Sequence, residues 1–524
     1  MTRGLWTCRL RRWVQSISTN RMTTLAWIAA GIGLRLAAYL TNRSFWCDEA
    51  MLAHNILDRT WLELLHPLDF TQVAPAGFLY VMKLVVVVAG DSEFGLRLLP
   101  LLAGIASLPI FARLASLFDQ PLARHLAMAL FALNGPAIFH SSEAKPYSID
   151  LCIGLALTLW LSTAIETPPT RRRVVLITAA CAAAPWLSFP SAFVIAAGLT
   201  IFAFVWLRGR RDLAVVLAAA FPAWFLSILA YQLLLRPPIA NEYLQSYWET
   251  YFWDFTSLST TLTWLVEALR QAMAEPVGLI VPWTGLALFL AGAVISFRNR
   301  APLVWWSIMS VAAVGAGAAV RIYPFGGYGG RTILFLLPFL ILPICHAFEM
   351  LLRVWPHRLE SRLLAAGALC WVLAGAVSHT PAFIMKPPGA TEEIRSVLRY
   401  VDARALYGDT VYFYWKTHYT MAYYHRRYPF RHVRVIQGYI LRDPRRDGQA
   451  FVEQLNQLTC KPRAWLVFSN WGRPHNPDEK MILDYLRSCG RVAEAFFAPG
   501  ASAYRLEFSP RPDVAPSTGP PPRR

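Results

Sequence analysis

Ser44-Phe45-Trp46-Cys47-Asp48-Glu49 places two adjacent carboxylates just beyond an apolar run, Leu25 to Leu40, that has the length of a membrane helix. Ionisable groups at the foot of such a helix are costly unless water, a cation or a reacting hydroxyl meets them, so the pair marks a site. Composition agrees with a membrane setting. The chain of 524 residues is 56% hydrophobic and only 16% charged, with a mean hydropathy of +0.38, too apolar for a soluble protein of this size. Its net charge of +18 is carried largely by short arginine clusters between apolar runs, without a basic stripe interleaved with aromatics. That pattern fits membrane orientation, and no nucleic-acid partner is expected. The eight cysteines show neither CxxC pairs nor metal-ligand spacing, so neither a zinc site nor a dense disulfide framework is signalled.

A bilayer core needs about 20 helical residues to cross it. Apolar runs of that order recur near 24–41, 96–117, 123–141, 147–166, 174–188, 190–207, 213–235, 277–297, 302–320, 332–352 and 363–384. With Arg9, Arg11 and Arg12 cytoplasmic and the first helix retained, these spans put Arg113 and Arg124, Arg171 to Arg173, Arg208 to Arg211, Arg298 and Arg300, and Arg353 to Arg362 on the cytoplasmic side, as the lysine and arginine bias requires. This parity requires that Ala74 to Gly90, apolar but short and interrupted by Lys83, lie along the outer interface. The external side then collects 41–95, Ser141 to Pro146, the aromatic loop 236–276, and Arg321 to Arg331.

Composition changes at Lys386-Pro387-Pro388-Gly389, which cannot continue a helix. The membrane domain is therefore read as 1–385 and an external α/β domain as 386–508, with a Pro-rich tail, 509–524, expected to be disordered. Thr391 to Val401 reads as a helix with Thr391 as N-cap and Glu392 and Glu393 in its first turn. Strand-like runs occupy Thr410 to Trp415, Ala464 to Ser469 and Ala503 to Phe508, with a helix over Asp478 to Ser488. Cys460 and Cys489 flank one strand-helix unit and are expected at one end of the sheet, where an oxidising compartment would bridge them. The alternative is that both are small buried hydrophobes.

Asp48-Glu49, Gln72-Val73-Ala74-Pro75-Ala76-Gly77-Phe78, Glu93-Phe94-Gly95-Leu96-Arg97-Leu98-Leu99-Pro100 and Ser142-Glu143-Ala144-Lys145-Pro146-Tyr147, in that order and spacing, carry a resemblance. The chain resembles the GT-C glycosyltransferases that use polyprenyl-phosphate sugars, in particular the protein O-mannosyltransferases, the lipid A aminoarabinose transferases and related bacterial transferases. The likeness covers roughly the first 165 residues in sequence pattern, and the later spans in layout. It implies a polytopic α-helical membrane protein of GT-C type, about 11 transmembrane helices with a small C-terminal α/β extramembrane domain. It further implies a bacterial plasma membrane location, a polyprenyl-phosphate-linked sugar donor, and a lipid, glycan or protein acceptor. Relatives of this group work without a catalytic metal, so no cofactor is expected; Asp48, Glu49 and Glu143 are the set that a divalent metal would use. Many relatives carry Arg where this chain has Lys145, which keeps a cation but loses bidentate geometry.

Such a transfer needs a base for the acceptor hydroxyl and positive charge for the leaving phosphate. Asp48 is the candidate base, with Glu49 next to it. Lys145, Arg331 and Arg97 are the candidate phosphate cations, while Glu143, Tyr147, Gln72 and Trp248 are candidates for the sugar or acceptor. Each has a plainer reading. Asp48 and Glu49 suit the first turn of an interfacial helix. Glu143 and Lys145 suit a local ion pair, Tyr323 to Arg331 a flexible connection, and the aromatics Tyr247 to Trp253 an interfacial belt. A lipid-linked sugar transporter and a noncatalytic envelope-assembly scaffold are the competing functions. A transporter would show paired broken helices, which the sequence lacks.

Overall fold

The computed structural model describes residues 21–117, 121–235, 242–298, 302–354, 392–438, 444–469 and 477–508, with two single residues between 354 and 392. The chain forms two compact units, one of residues 1–42 and 55–387 and one of residues 43–54 and 388–524.

The first unit is helical. Its elements are α1 (Arg21–Leu40), the C-terminal part of α2 (Cys47–Asp58), α3 (Ala76–Ala89), α4 (Glu93–Ala115), α5 (Pro121–Ala132), α6 (Gly135–His140), α7 (Tyr147–Glu166), α8 (Arg171–Leu187), α9 (Ser191–Leu207), α10 (Ala214–Leu235), α11 (Glu242–Tyr247), α12 (Leu258–Ala274), α13 (Pro282–Arg298), α14 (Pro302–Ala319) and α15 (Leu337–Val354). Side chains set several of the starts. Ser92 accepts from the Gly95 N–H, Thr170 from Arg173 and Asn134 from Ala137, each satisfying a backbone donor that the helix leaves open. Among the described residues five helices are long and apolar enough to cross a membrane, over 21–40, 93–115, 147–166, 211–235 and 330–351, and five shorter apolar helices accompany them. An exact total of eleven spans is not established by these, and the expected last span, 363–384, lies almost entirely outside the described residues. The segment expected as one span at 123–141 is two helices, α5 and α6, because Asn134 caps the second one. The segment expected at 332–352 begins as a 3₁₀ stretch, Tyr328–Leu336, before α15.

Of the apolar window within 330–351, 94% is buried, and other helices pack around α15. Small residues let backbones touch, as in other membrane helix pairs. A Cβ on Gly292 of α13 would come within 1.9 Å of the Pro343 carbonyl oxygen of α15, and one on Gly77 of α3 within 2.6 Å of the Trp186 carbonyl oxygen of α8. α3 has 14 residues, about 21 Å of helix, less than a bilayer core requires.

The second unit holds β1 (Thr410–Phe413), β2 (Arg434–Gln437), β3 (Arg463–Ser469), β4 (Gly490–Ala498) and β5 (Ala501–Phe508), with α16 (Ile394–Asp402), α17 (Thr417–Tyr424), α18 (Pro444–Thr459) and α19 (Pro477–Arg487). The described strands make one mixed sheet in the order β2-β1-β3-β5-β4. β1 pairs in parallel with β2 and β3, while β5 runs antiparallel to β3 and β4. Asp409 ties the start of β1 to β3, accepting from Arg463 at 2.8 and 2.7 Å and from the Trp465 indole at 3.2 Å. Thr391, expected as an N-cap, lies outside the described residues, and α16 begins only at Ile394.

The expected Cys460–Cys489 bridge is absent, and both are free thiols. Strand order explains this. β3 and β4 do start at the same end of the sheet, but β5 lies between them. Two strand spacings amount to about 9–10 Å, beyond the roughly 7 Å Cα separation that a disulfide tolerates.

Introducing a Cβ at the α13–α15 contact overpacks a close backbone approach, which costs about 1–3 kcal/mol. Gly292→Ala should lower the thermal unfolding midpoint of the detergent-purified protein by several degrees. Gly33→Ala, at a position with open space around it, should not. Equal midpoints for the two variants would contradict the contact.

Candidate functional site

The acid pair lies in the second unit. α2 begins at Cys47, so Asp48 and Glu49 occupy its first turn, where the helix dipole favours negative charge. Glu49 is fully buried and Asp48 half-buried. Three anchors fix the entry to this helix. The Ser44 N–H and hydroxyl donate to Glu393 at 3.1 and 2.9 Å. The Phe45 N–H donates to the Tyr424 hydroxyl at 2.9 Å, and the Phe45 ring lies 4.7 Å from that of Tyr423. Glu392 accepts from the Ser469 hydroxyl at 2.8 Å and from Cys47. The two glutamates expected in the first turn of α16 thus precede that helix and hold the stretch 44–47. Burial pushes the Glu392 carboxyl up to about 7, against the hydrogen bonds from Ser469 and Cys47 that pull it down.

The candidate cations lie in the first unit, all buried. Lys145, in the turn between α6 and α7, donates to the Gln72 side-chain oxygen at 2.6 Å. Glu143 pairs with His140 Nδ1 at 2.6 Å, and the His140 ring lies 5.0 Å from that of Tyr147. Four of the residues expected at the site, Gln72, Glu143, Lys145 and Tyr147, therefore meet in one region through three contacts and the α6–α7 turn. His140 belongs with them. Its spacing three residues before Glu143, on a helix, was the available signal. Arg97 lies on α4 near Tyr39, whose hydroxyl donates to the Phe94 carbonyl at 2.9 Å.

Arg331 stands over the Trp248 ring, 5.2 Å from its centroid. The glycines before it serve the same packing. Gly326, Gly327 and Gly330 all have positive φ. A Cβ on them would meet Tyr251 at 2.8 Å, Trp248 at 2.7 Å and the Glu275–Pro276 backbone at 2.5 Å respectively. Asn134 braces that backbone from the other side, donating to the Pro276 and Val277 carbonyls at 2.9 and 3.1 Å. Tyr323 to Arg331 is thus a packed ledge, and Trp248 is the surface on which its arginine rests.

Sequence reading passed over Arg35, although an arginine inside the run Leu25 to Leu40 was visible. It is fully buried, donates to the Gly31 and Ala132 carbonyls at 3.1 and 3.3 Å, and lies 5.9 Å from the Phe131 ring centroid. Among the described residues its Nε and Nη2 have no hydrogen-bond partner. No group of three or more His, Cys, Asp and Glu placed to hold a metal occurs among the described residues.

Among the described residues the chain thus combines five helices long and apolar enough to cross a membrane, an acid pair after the first of them, and buried cations on or near helix ends. No family model and no curated protein matches the sequence. Among solved structures the chain is similar to ArnT from Cupriavidus metallidurans bound to undecaprenyl phosphate, with a TM-score of 0.50, 11% identity, and coverage of 92% of this chain and 97% of that one. The apo form of the same protein gives a TM-score of 0.49 at 12% identity over the same shares. AglB from Archaeoglobus fulgidus, in complex with an inhibitory peptide and a dolichol-phosphate, gives 0.46 at 10% identity, covering 84% and 69%. AglB is an archaeal oligosaccharyltransferase. The likeness is one of fold.

Glu392 makes the second unit pH-sensitive. Its folded value lies above the ordinary carboxyl range, so the native state holds a proton that the unfolded chain releases near pH 4.5. Stability from this group is fully present below that pH and is lost as pH rises through about 7, on the order of 3 kcal/mol in all. Hydrogen exchange of 463–469 in the full chain should accelerate between pH 5 and pH 8 beyond its intrinsic dependence. Glu392→Gln should remove that excess; an unchanged excess would assign the effect to another group.

Proposed function

We propose that the protein is a membrane glycosyltransferase that moves a sugar from a polyprenyl-phosphate donor to an acceptor hydroxyl on the external face of the bacterial plasma membrane. The observation that carries this reading is the ArnT fold over most of the chain, in a sequence whose acid pair directly follows the first span. In this reading Asp48 takes the proton of the acceptor hydroxyl as its oxygen attacks the anomeric carbon. The bond from that carbon to the phosphate oxygen breaks on the opposite face, so the transfer inverts, and the phosphate leaves with the electron pair. Asp48 is preferred to Glu49 because it is only half-buried whereas Glu49 is fully buried.

A phosphate leaving group needs no general acid, but its charge must be met, and fixed cations in a water-poor setting do this most effectively. Lys145 and Arg331 are assigned that role, with Arg97 behind them. Gln72 orients Lys145, and Glu143 with Tyr147 is assigned to the sugar or acceptor. The reaction as written uses no metal. The distribution of arginine clusters supports reading the C-terminal unit, which carries the acid pair, as external.

Asp48→Asn keeps size and most hydrogen bonding but removes basicity. Turnover of purified, folded protein with a polyprenyl-phosphate sugar should fall by about 10²- to 10⁴-fold. Near wild-type turnover would refute Asp48 as base. Lys145→Gln and Arg331→Gln should each weaken donor binding more than acceptor binding in titrations; the reverse order would move both residues to the acceptor.

A further inference from the structure

Residues between 250 and 271, together with Phe325, line a cavity that none of the roles above uses. It measures about 330 Å³, within the range that small ligands occupy, about 300–1,000 Å³. Tyr251, Trp264 and Phe325 supply aromatic surface to it, and Asp254, Thr260, Thr263, Glu267 and Gln271 supply polar groups. Four of these polar groups fall on one stripe of α12, spaced three or four residues apart.

The opposite side of α12 is of another kind. Leu258, Leu262 and Val266 are 76%, 53% and 43% exposed, at the i, i+4, i+8 spacing of a single helix face. A capping box of Ser257 and Thr260 fixes where the helix starts, and so fixes both faces. An apolar stripe of this sort lies in the headgroup boundary of a bilayer, with the polar stripe turned from the lipid.

The cavity's chemistry narrows the ligand. Glu267 is held by Arg270 at 2.7 and 2.5 Å and by Gln271 at 2.9 Å, and the Arg270 guanidinium keeps its carboxyl down at about 2. Asp254 accepts from the Thr256 N–H at 2.9 Å, which lowers it as well. Both acids are therefore acceptors only and repel an anion. Trp264 packs one face on Trp253, with centroids 5.1 Å apart at 15°, and meets Phe325 edge-on at 6.0 Å, so its orientation is fixed. Acceptor carboxylates, hydroxyls, an amide and fixed aromatic rings at a membrane surface match a ligand with many hydroxyl donors and apolar C–H faces.

We propose that this cavity is a binding subsite for an uncharged sugar unit of a membrane-attached acceptor. The inference rests on the transferase reading for its purpose, but not for its chemistry. Tyr251 joins the two places, since it lines the cavity and also packs under Gly326, five residues before Arg331.

The test uses the full chain in phospholipid nanodiscs and saturation-transfer NMR on methyl α-mannoside, methyl β-glucoside, methyl β-galactoside and methyl β-glucuronide. At least one uncharged glycoside should receive saturation, and the glucuronide none. Thr263→Trp, which fills the cavity from an exposed position, and Gln271→Ala should each weaken that binding by about tenfold, the loss of one good contact. Asp48→Asn and added undecaprenyl phosphate should leave it unchanged. Absence of binding by every uncharged glycoside, an equal signal in Thr263→Trp, or displacement by undecaprenyl phosphate would each overturn the subsite. Sugar binding in a protein without transferase turnover would instead overturn the transferase reading and leave the subsite standing.

Discussion

A cation buried among apolar helices is tolerable only where an oxygen or an aromatic face meets it, and the 2.6 Å hydrogen bond from Lys145 to Gln72 shows how the membrane unit satisfies that constraint. The bond joins the loop before α3 to the turn before α7, elements far apart in sequence. The same requirement orders the rest of the helical unit. Glu143 takes His140, Arg331 takes Trp248, and Arg35 takes two backbone carbonyls. Because Arg331 must reach Trp248, the segment before it has to pass close over the aromatic loop, and glycines at positive φ make that approach possible.

The second unit obeys the constraint with the opposite sign. Glu392 and Glu393 are placed before α16 with Ser469, Ser44 and Cys47 as donors. Each hydrogen bond that stabilises these carboxyls also fixes the chain leading into α2. The position of Asp48 is therefore set by residues 45 and 424 as much as by its own helix. A base held by remote donors, the role proposed for Asp48, is sensitive to changes that touch no substrate.

Much of this was legible in the sequence, for physical reasons. Apolar runs of the length of a bilayer core announce helices, and the positions of arginine between them announce a membrane protein. Gln72, Glu143, Lys145 and Tyr147 were singled out because they lie in the stretches that carry the family resemblance, and the structure brings them into one region. Other features were hidden. β4 alternates between half-buried and exposed along its whole length, and an edge strand of that kind carries little hydrophobic signal. Strand order is a long-range property, so nothing around Cys460 or Cys489 revealed that β5 would come between them. Arg35 was visible but looked like one charge in an apolar run, and only its neighbours show that it is fully enclosed. The two faces of α12 were obscured because aromatic residues just before it read as an interfacial belt.

The central claim is that this fold transfers a sugar from a polyprenyl phosphate at the external surface. Mass spectrometry of envelope glycolipids and glycans from cells with and without the gene tests it most directly. The account predicts that one sugar substituent disappears from its acceptor in the deletion while the corresponding polyprenyl-phosphate sugar accumulates, and that both changes are reversed by the wild-type chain. Identical glycolipid and glycan profiles in the two strains, with no accumulated donor, would contradict it.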